Sequence, residues 1–123
     1  MNIFFLDDDK TRIEVFSALC PDAVIAETAP DAISTIEGKD WDIVFLDHDL
    51  GGEQFVDTAR EDTGAEVTRW IVKNKPKIDL IIVHSYNPDG AENMRSLLSQ
   101  ADYNVKKVPF SQLIKRISTI INS

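Results

Sequence analysis

The sequence predicts an α/β fold of (βα)5 type: a parallel five-stranded sheet in the order 2-1-3-4-5, with helices on both faces in a three-layer sandwich. Three observations carry that prediction. Short apolar runs alternate with amphipathic segments along the whole chain. The runs at 3–6, 43–46 and 78–83 are almost continuously apolar, as expected of strands covered on both faces. Polar clusters stand directly after those three runs, where an open parallel sheet places its ligands. Right-handed crossovers between successive strands then leave few other topologies.

Each element has its own signal. Ile3-Phe-Phe-Leu6 is the first strand. Ile13, Val15, Phe16 and Leu19 give the segment from Arg12 a helical face, closed by Pro21. Ala23–Ala26 is the second strand. Thr28 with Asp31 reads as a capping box, with Ile33 and Ile36 facing inward and Gly38 ending the helix. Ile43-Val-Phe-Leu46 is the third strand. Thr63 and Glu66 read as a second box before Val67, Trp70 and Ile71, and Pro76 is the stop. Ile78–Val83 is the fourth strand, and Met94, Leu97, Leu98 and Ala101 repeat at i, i+3, i+4, i+7. Tyr103–Val108 alternates weakly and carries Lys106 and Lys107, which suits an edge strand. A last amphipathic helix runs from Phe110 to Ile121.

At 123 residues the chain is expected to be a single domain, 1–123, large enough for one core without disulfides. Cys20 is alone, which excludes an intrachain disulfide and a thiolate zinc site. No apolar run approaches the ~20 residues of a membrane span, and the acidic start is unlike an export signal. A cytoplasmic setting is expected. Thirteen basic against 21 acidic residues give a net charge of −8, which argues against duplex nucleic acid as a partner.

The acids converge at one place. Asp7-Asp8-Asp9 follows strand 1, Asp47-His48-Asp49 follows strand 3, and His84-Ser85-Tyr86-Asn87 follows strand 4. In the predicted order these lie together at the point where the strand order reverses. Several carboxylates in one pocket either take up protons or gather round a cation. Oxygen ligands without paired thiols suit Mg²⁺ or Mn²⁺, and Asp7, Asp8 and Asp47 are the expected ligands. Such a metal attracts phosphoryl oxygens, and Ser85 and Asn87 are placed to bind the same phosphate. Asp9 reads as a helix N-cap. The chain's only two histidines, His48 and His84, stand at this rim, and imidazoles move protons near neutral pH. Asp49 is expected to orient one of them, and His84 is the expected partner, since neighbours in sequence reach each other poorly. Trp41, Trp70, Phe45 and Phe16 read as packing. The stretch from Glu53 to Asp62 is long for a βα connection and reads either as a lid or specificity loop or as a surface insertion, with Arg60 a candidate phosphate contact and Arg69 a surface ion-pair former.

The acidic pair, the Asp after strand 3 and the Ser after strand 4 resemble the receiver domain of response regulators, a CheY-like, flavodoxin-like fold, over essentially the whole chain. That resemblance implies Mg²⁺ on Asp7, Asp8 and Asp47, phosphorylation of Asp47, and Ser85 as the switch hydroxyl. One position departs. Receivers carry a lysine directly before the proline after strand 5, whereas this chain reads Lys106-Lys-Val-Pro-Phe110. Val108 takes the lysine's place, and a one-residue shift turns Lys107 to the other face of the sheet. The departures, "LDHDLGG", "HSYN" and the early Arg12, resemble a divergent subgroup, the cyclic-phosphate-processing receiver-like domain.

Two functions follow as expectations. One is metal-dependent processing or binding of a cyclic phosphate or related phosphoester, with Asp47, His48, His84 and Asp49 as the chemical groups. The other is a stand-alone receiver phosphorylated on Asp47 that signals through a protein partner on the face of helix 4 and strand 5.

Overall fold

The computed structural model describes residues 1–49 and 63–122. Among these residues five strands and five helices alternate: β1 (Ile3–Leu6), α1 (Lys10–Leu19), β2 (Val24–Ala26), α2 (Ala29–Glu37), β3 (Trp41–Leu46), α3 (Gly64–Asn74), β4 (Ile78–Val83), α4 (Pro88–Gln100), β5 (Val105–Lys107) and α5 (Phe110–Asn122). The strands form one parallel sheet in the order β2-β1-β3-β4-β5. The predicted architecture and strand order are those observed.

Strand residues alternate between two cores, because successive side chains leave a strand on opposite faces. Phe4, Leu6, Val44, Leu46, Ile81 and Val83 pack with Ile36 of α2, Ile71 of α3 and Met94 and Leu98 of α4. Phe5, Phe45 and Ile82 pack with Phe16 of α1 and Leu113 and Ile117 of α5. On the second face Phe5 stacks on Phe16, with ring centroids 4.0 Å apart, and Phe45 meets Phe16 edge-on. Each fully buried side chain of this size contributes about 2–3 kcal/mol from apolar burial.

The helix ends show why the chain divides as it does. Asp9 is the N-cap of α1, its carboxylate accepting from the Arg12 N–H. Thr28 caps α2 in the same way through Asp31 N. The second box did not form. Thr63 is the N-cap residue of α3, but its side chain makes no capping bond, and Glu66 pairs with Arg69 instead. Lys75, with φ 53°, takes the left-handed conformation that ends α3 ahead of Pro76. Strands β2 and β5 are shorter than their apolar runs. β3 begins earlier, at Trp41, whose indole N–H donates to the Ile36 carbonyl. Among the described residues no helix is long and apolar enough to cross a membrane. Gly51, Gly52, the loop from Glu53 to Asp62 and Arg60 lie outside the described residues.

Candidate functional site

Strand register builds the site. Phe5 lies opposite Phe45, and Leu46 opposite Val83. Two residues past Phe5 and one past Leu46, the same register sets Asp7 beside Asp47 and Asp47 beside His84. The backbone ladder runs on to hold them: Asp7 N–H donates to Ala26 O, and His84 N–H to Leu46 O. All three side chains share the strand parity of Phe5, Phe45 and Ile82, so they emerge on the α1/α5 face. Each is almost fully buried, Asp7 at 0%, Asp47 at 3% and His84 at 1% exposure. One ligand atom from each falls within 4.8 Å of the others.

Arg12 completes the cluster. Its Nε lies 2.8 Å from Asp7 Oδ2, and its Nη2 lies 2.9 Å from Asp7 Oδ1 and 3.4 Å from Asp47 Oδ2. A planar guanidinium fits a carboxylate with two parallel bonds in this way. The residue stands in the first turn of α1, on the face toward which the strand parity sends the acids. That parity is readable from the sequence, in which Arg12 itself stands out only through a family resemblance.

The two acids hold opposite electrostatic states. Burial alone would raise the Asp7 pKa, but hydrogen bonds from His84 and Arg12 overcome it and hold Asp7 well below the usual carboxylate range. Asp47 is pushed up to about 7, chiefly by burial and further by the charge of Asp7, against the pull of His84, Arg12 and a hydrogen bond from the Ser85 hydroxyl. With Asp7 ionised, His84 Nε2, 3.0 Å from Asp7 Oδ2, carries the proton and donates it. His84 Nδ1 is buried without a hydrogen-bond partner among the described residues. Its ring stacks on Phe5 at 4.7 Å and meets Phe110 edge-on.

The other histidine is built differently, and one expectation is corrected. Asp49 pairs with its neighbour His48, not with His84: His48 Nδ1 lies 2.8 Å from Asp49 Oδ1. Adjacent residues on a strand diverge, but the chain bends at His48, and the bend brings the two side chains to one side. Asn87 holds the pair to α4. Its Nδ2 donates to Asp49 Oδ1, and its Oδ1 accepts from Gly90 N as the N-cap. A Cβ on Gly90 would stand 2.5 Å from His48 Cγ, so only glycine lets the helix lie against this fully buried ring. His48 also ties back to the acids, its backbone N–H donating to Asp47 Oδ1. Gly64 presses as closely on the other side, where a Cβ would fall on the Asp47 carbonyl.

The other residues singled out in the sequence lie around this core. Asp8 is half-buried on the β1–α1 turn and stands outside the close group of Asp7, Asp47 and His84. Ser85 Oγ accepts from Asn87 N, which fixes the hydroxyl beside Asp47. Lys107, opposite Val83 in the ladder, leaves β5 on the α4 face and pairs with Glu92 at 2.7 Å. Val108 takes the position on the site's own face and is buried among Phe5, Phe110 and Leu113. The one-residue shift therefore does remove the lysine from the acids.

An open parallel sheet in this order, with a buried acidic cluster where the order reverses, is the architecture of CheY-like receiver domains. The chain belongs, more narrowly, to the cyclic-phosphate processing receiver domain family, which it matches over residues 1–100. Its fold is similar to a response regulator from Colwellia psychrerythraea, with a TM-score of 0.69 at 16% identity, covering 98% of this chain and 96% of that one. It is also similar to the N-terminal domain of an uncharacterised protein from Wolinella succinogenes, with a TM-score of 0.68 at 13% identity, covering 99% and 90%. A CheY-like receiver domain protein from Methanospirillum hungatei aligns with a TM-score of 0.54 at 16% identity, covering 98% and 93%. At these identities the likeness is one of fold. No curated protein matches the chain.

Proposed function

We propose that this domain binds and opens a cyclic phosphodiester, or a related phosphoester, at the Asp7–Asp47–His84 cluster. The observation that carries the reading is the His84 imidazole, hydrogen-bonded to Asp7 at 3.0 Å inside the acidic group, in a chain whose β5 lysine is turned to the opposite face. Ring opening needs a water to attack phosphorus, the endocyclic P–O bond to break, and the departing oxygen to gain a proton. His84 presents an N–H next to where a phosphoryl group would lie between Asp47 and Arg12. Arg12 offers a fork of donors to phosphoryl oxygens, at the cost of loosening its hold on Asp47. Ser85 adds a hydroxyl donor. His48, oriented by Asp49 and Asn87, is the second proton-transfer group.

The donor set fits a divalent cation, with Asp7, Asp8 and Asp47 the proposed ligands and His84 within reach of the same point. Such an ion, Mg²⁺ or Mn²⁺, would neutralise the acids and polarise phosphoryl oxygens. The guanidinium of Arg12 already supplies one positive charge there, so the cation competes with it for Asp47. Incubation with Mg²⁺ or Mn²⁺ and a panel of cyclic nucleotides and 2′,3′-cyclic phosphates, followed by phosphorus NMR, tests the reading. Conversion of at least one member to a phosphomonoester is expected. No turnover on any member, with metal binding demonstrated, counts against it.

A second reading is favoured by the hydroxyl of Ser85 on the Asp47 carboxylate. In that reading Asp47 accepts a phosphoryl group and the domain signals through a protein that docks on α4 and β5. Acetyl phosphate or beryllofluoride with Mg²⁺ would then give an adduct that Asp47→Asn abolishes. Absence of any adduct removes this reading.

A further inference from the structure

Beside the acid cluster, on the α4 face, lies a cavity of about 280 Å³ walled by Val83, Ser85, Tyr86, Pro88, Ala91, Lys107 and Pro109. We propose that this cavity holds the planar base of a nucleoside whose phosphate is the group presented to Asp47. The inference rests on the phosphoester reading above and adds the class of substrate: nucleoside phosphates rather than phosphorylated sugars or lipids.

Three features point to that occupant. The first is continuity. Ser85 lines the cavity, directly follows His84 of the cluster, and lies close enough to Asp47 for its hydroxyl to lower that carboxyl's pKa, so one residue borders both compartments. A ligand with its phosphate at Asp47 extends past Ser85 into this space.

The second is Tyr86. It is the one large aromatic residue that stands half in solvent, at 52% exposure, among the described residues. Its ring is nonetheless pinned at two points: the Arg12 guanidinium lies 5.7 Å from the ring centroid, and the hydroxyl accepts from Ser111 N at 2.9 Å. A rigid, exposed aromatic face costs little entropy to use and stacks on any base, since every base has a π-face.

The third is the composition of the walls. Val83, Pro88, Ala91 and Pro109 are apolar, and Pro88 and Pro109 are conformationally stiff. The charged group lining the cavity is Lys107, which Glu92 holds in place at 2.7 Å. Its ammonium can donate to the ring nitrogens and carbonyls on a base edge, as Lys does to guanine. A lipid chain would make no use of that donor, and a bare sugar would leave the apolar walls and the Tyr86 face unused. The volume, at the lower end of the ~300–1,000 Å³ of small-molecule pockets, suits a ring system more than a whole nucleotide.

The test separates the cavity from the chemistry by using nucleosides that carry no phosphate. Amide NMR spectra of the whole chain are recorded with millimolar adenosine, guanosine, cytidine, uridine or ribose, with EDTA present. Saturable shifts centred on Ser85, Tyr86, Ala91 and Lys107 are expected with at least one nucleoside and none with ribose. Tyr86→Ala should weaken binding about ten-fold, the scale of one lost base–aromatic stack. Ala91→Leu, which fills the cavity, should abolish it. No saturable shift with any nucleoside overturns the assignment, as does binding undiminished in both variants. Nucleoside binding without turnover of cyclic phosphates would sink the phosphoester reading and leave the cavity assignment standing. Turnover with an unchanged KM in Tyr86→Ala would do the reverse.

Discussion

Asp47 is a carboxylate that folding places in an unfavourable setting, and replacing it by asparagine should stabilise the metal-free protein. The size of the effect follows from its pKa, pushed from 3.8 to about 7 chiefly by burial, with the Asp7 charge adding to it. A carboxyl whose folded pKa is raised binds its proton more tightly in the native state. Below pH 3.8 it contributes no difference. Between pH 3.8 and about 7 native stability falls by ~1.4 kcal/mol per pH unit, and above 7 the cost is complete. The cost therefore grows by about 3 kcal/mol between pH 5 and pH 8. Asparagine does not titrate, keeps an oxygen for the His48 N–H, and gives up the contact with Arg12. Groups outside the Asp7–Arg12–His84 cluster titrate alike in both proteins and cancel in the comparison. Urea unfolding in EDTA should therefore show Asp47→Asn gaining stability over the wild type by about 3 kcal/mol more at pH 8 than at pH 5. A difference independent of pH, or a variant less stable than the wild type at pH 8, would refute the reasoning.

Other outcomes follow from the same geometry. Arg12→Ala leaves the fully buried Asp7 without its two-pronged partner and should cost about 3 kcal/mol in EDTA, with Mg²⁺ raising the melting temperature more in the variant than in the wild type. Gly90→Ala places a methyl against the His48 ring and should cost about 1–3 kcal/mol while shifting the His48 ring signals in NMR. Ser85→Ala removes a hydrogen bond that lowers the Asp47 pKa, so the Asp47 carboxyl resonance should titrate at a higher pH than in the wild type.

The fold was legible because the strands announce themselves. Runs such as Ile3–Leu6 and Ile78–Val83 are apolar on both faces, and only a sheet sandwiched between helices needs that. The convergence of the acids was legible for the same reason: strand ends plus strand order place residues 7, 47 and 84 side by side. Lys107 was read correctly from parity alone. Two details were not within reach. Pairing of His48 with Asp49 depends on a chain bend after β3 that no residue pattern marks. The hold of Arg12 on both acids needs the tilt of α1 against the sheet, which is set by the packing of Phe16 on Phe5 and Phe45. The missing cap at Thr63 has the same character, since a sequence box states an opportunity and packing decides whether it is taken.

The central claim is that the histidine-bearing acid cluster acts on a phosphate belonging to a substrate. It is tested most directly by following a cyclic phosphodiester by phosphorus NMR with wild type and His84→Gln side by side, after both are shown to be folded and to bind metal. The account predicts ring opening by the wild type and at least a ~100-fold slower rate in the variant, the usual scale for a lost proton-transfer group. Equal rates in the two proteins, or no ring opening in either together with a beryllofluoride adduct on Asp47, would contradict it.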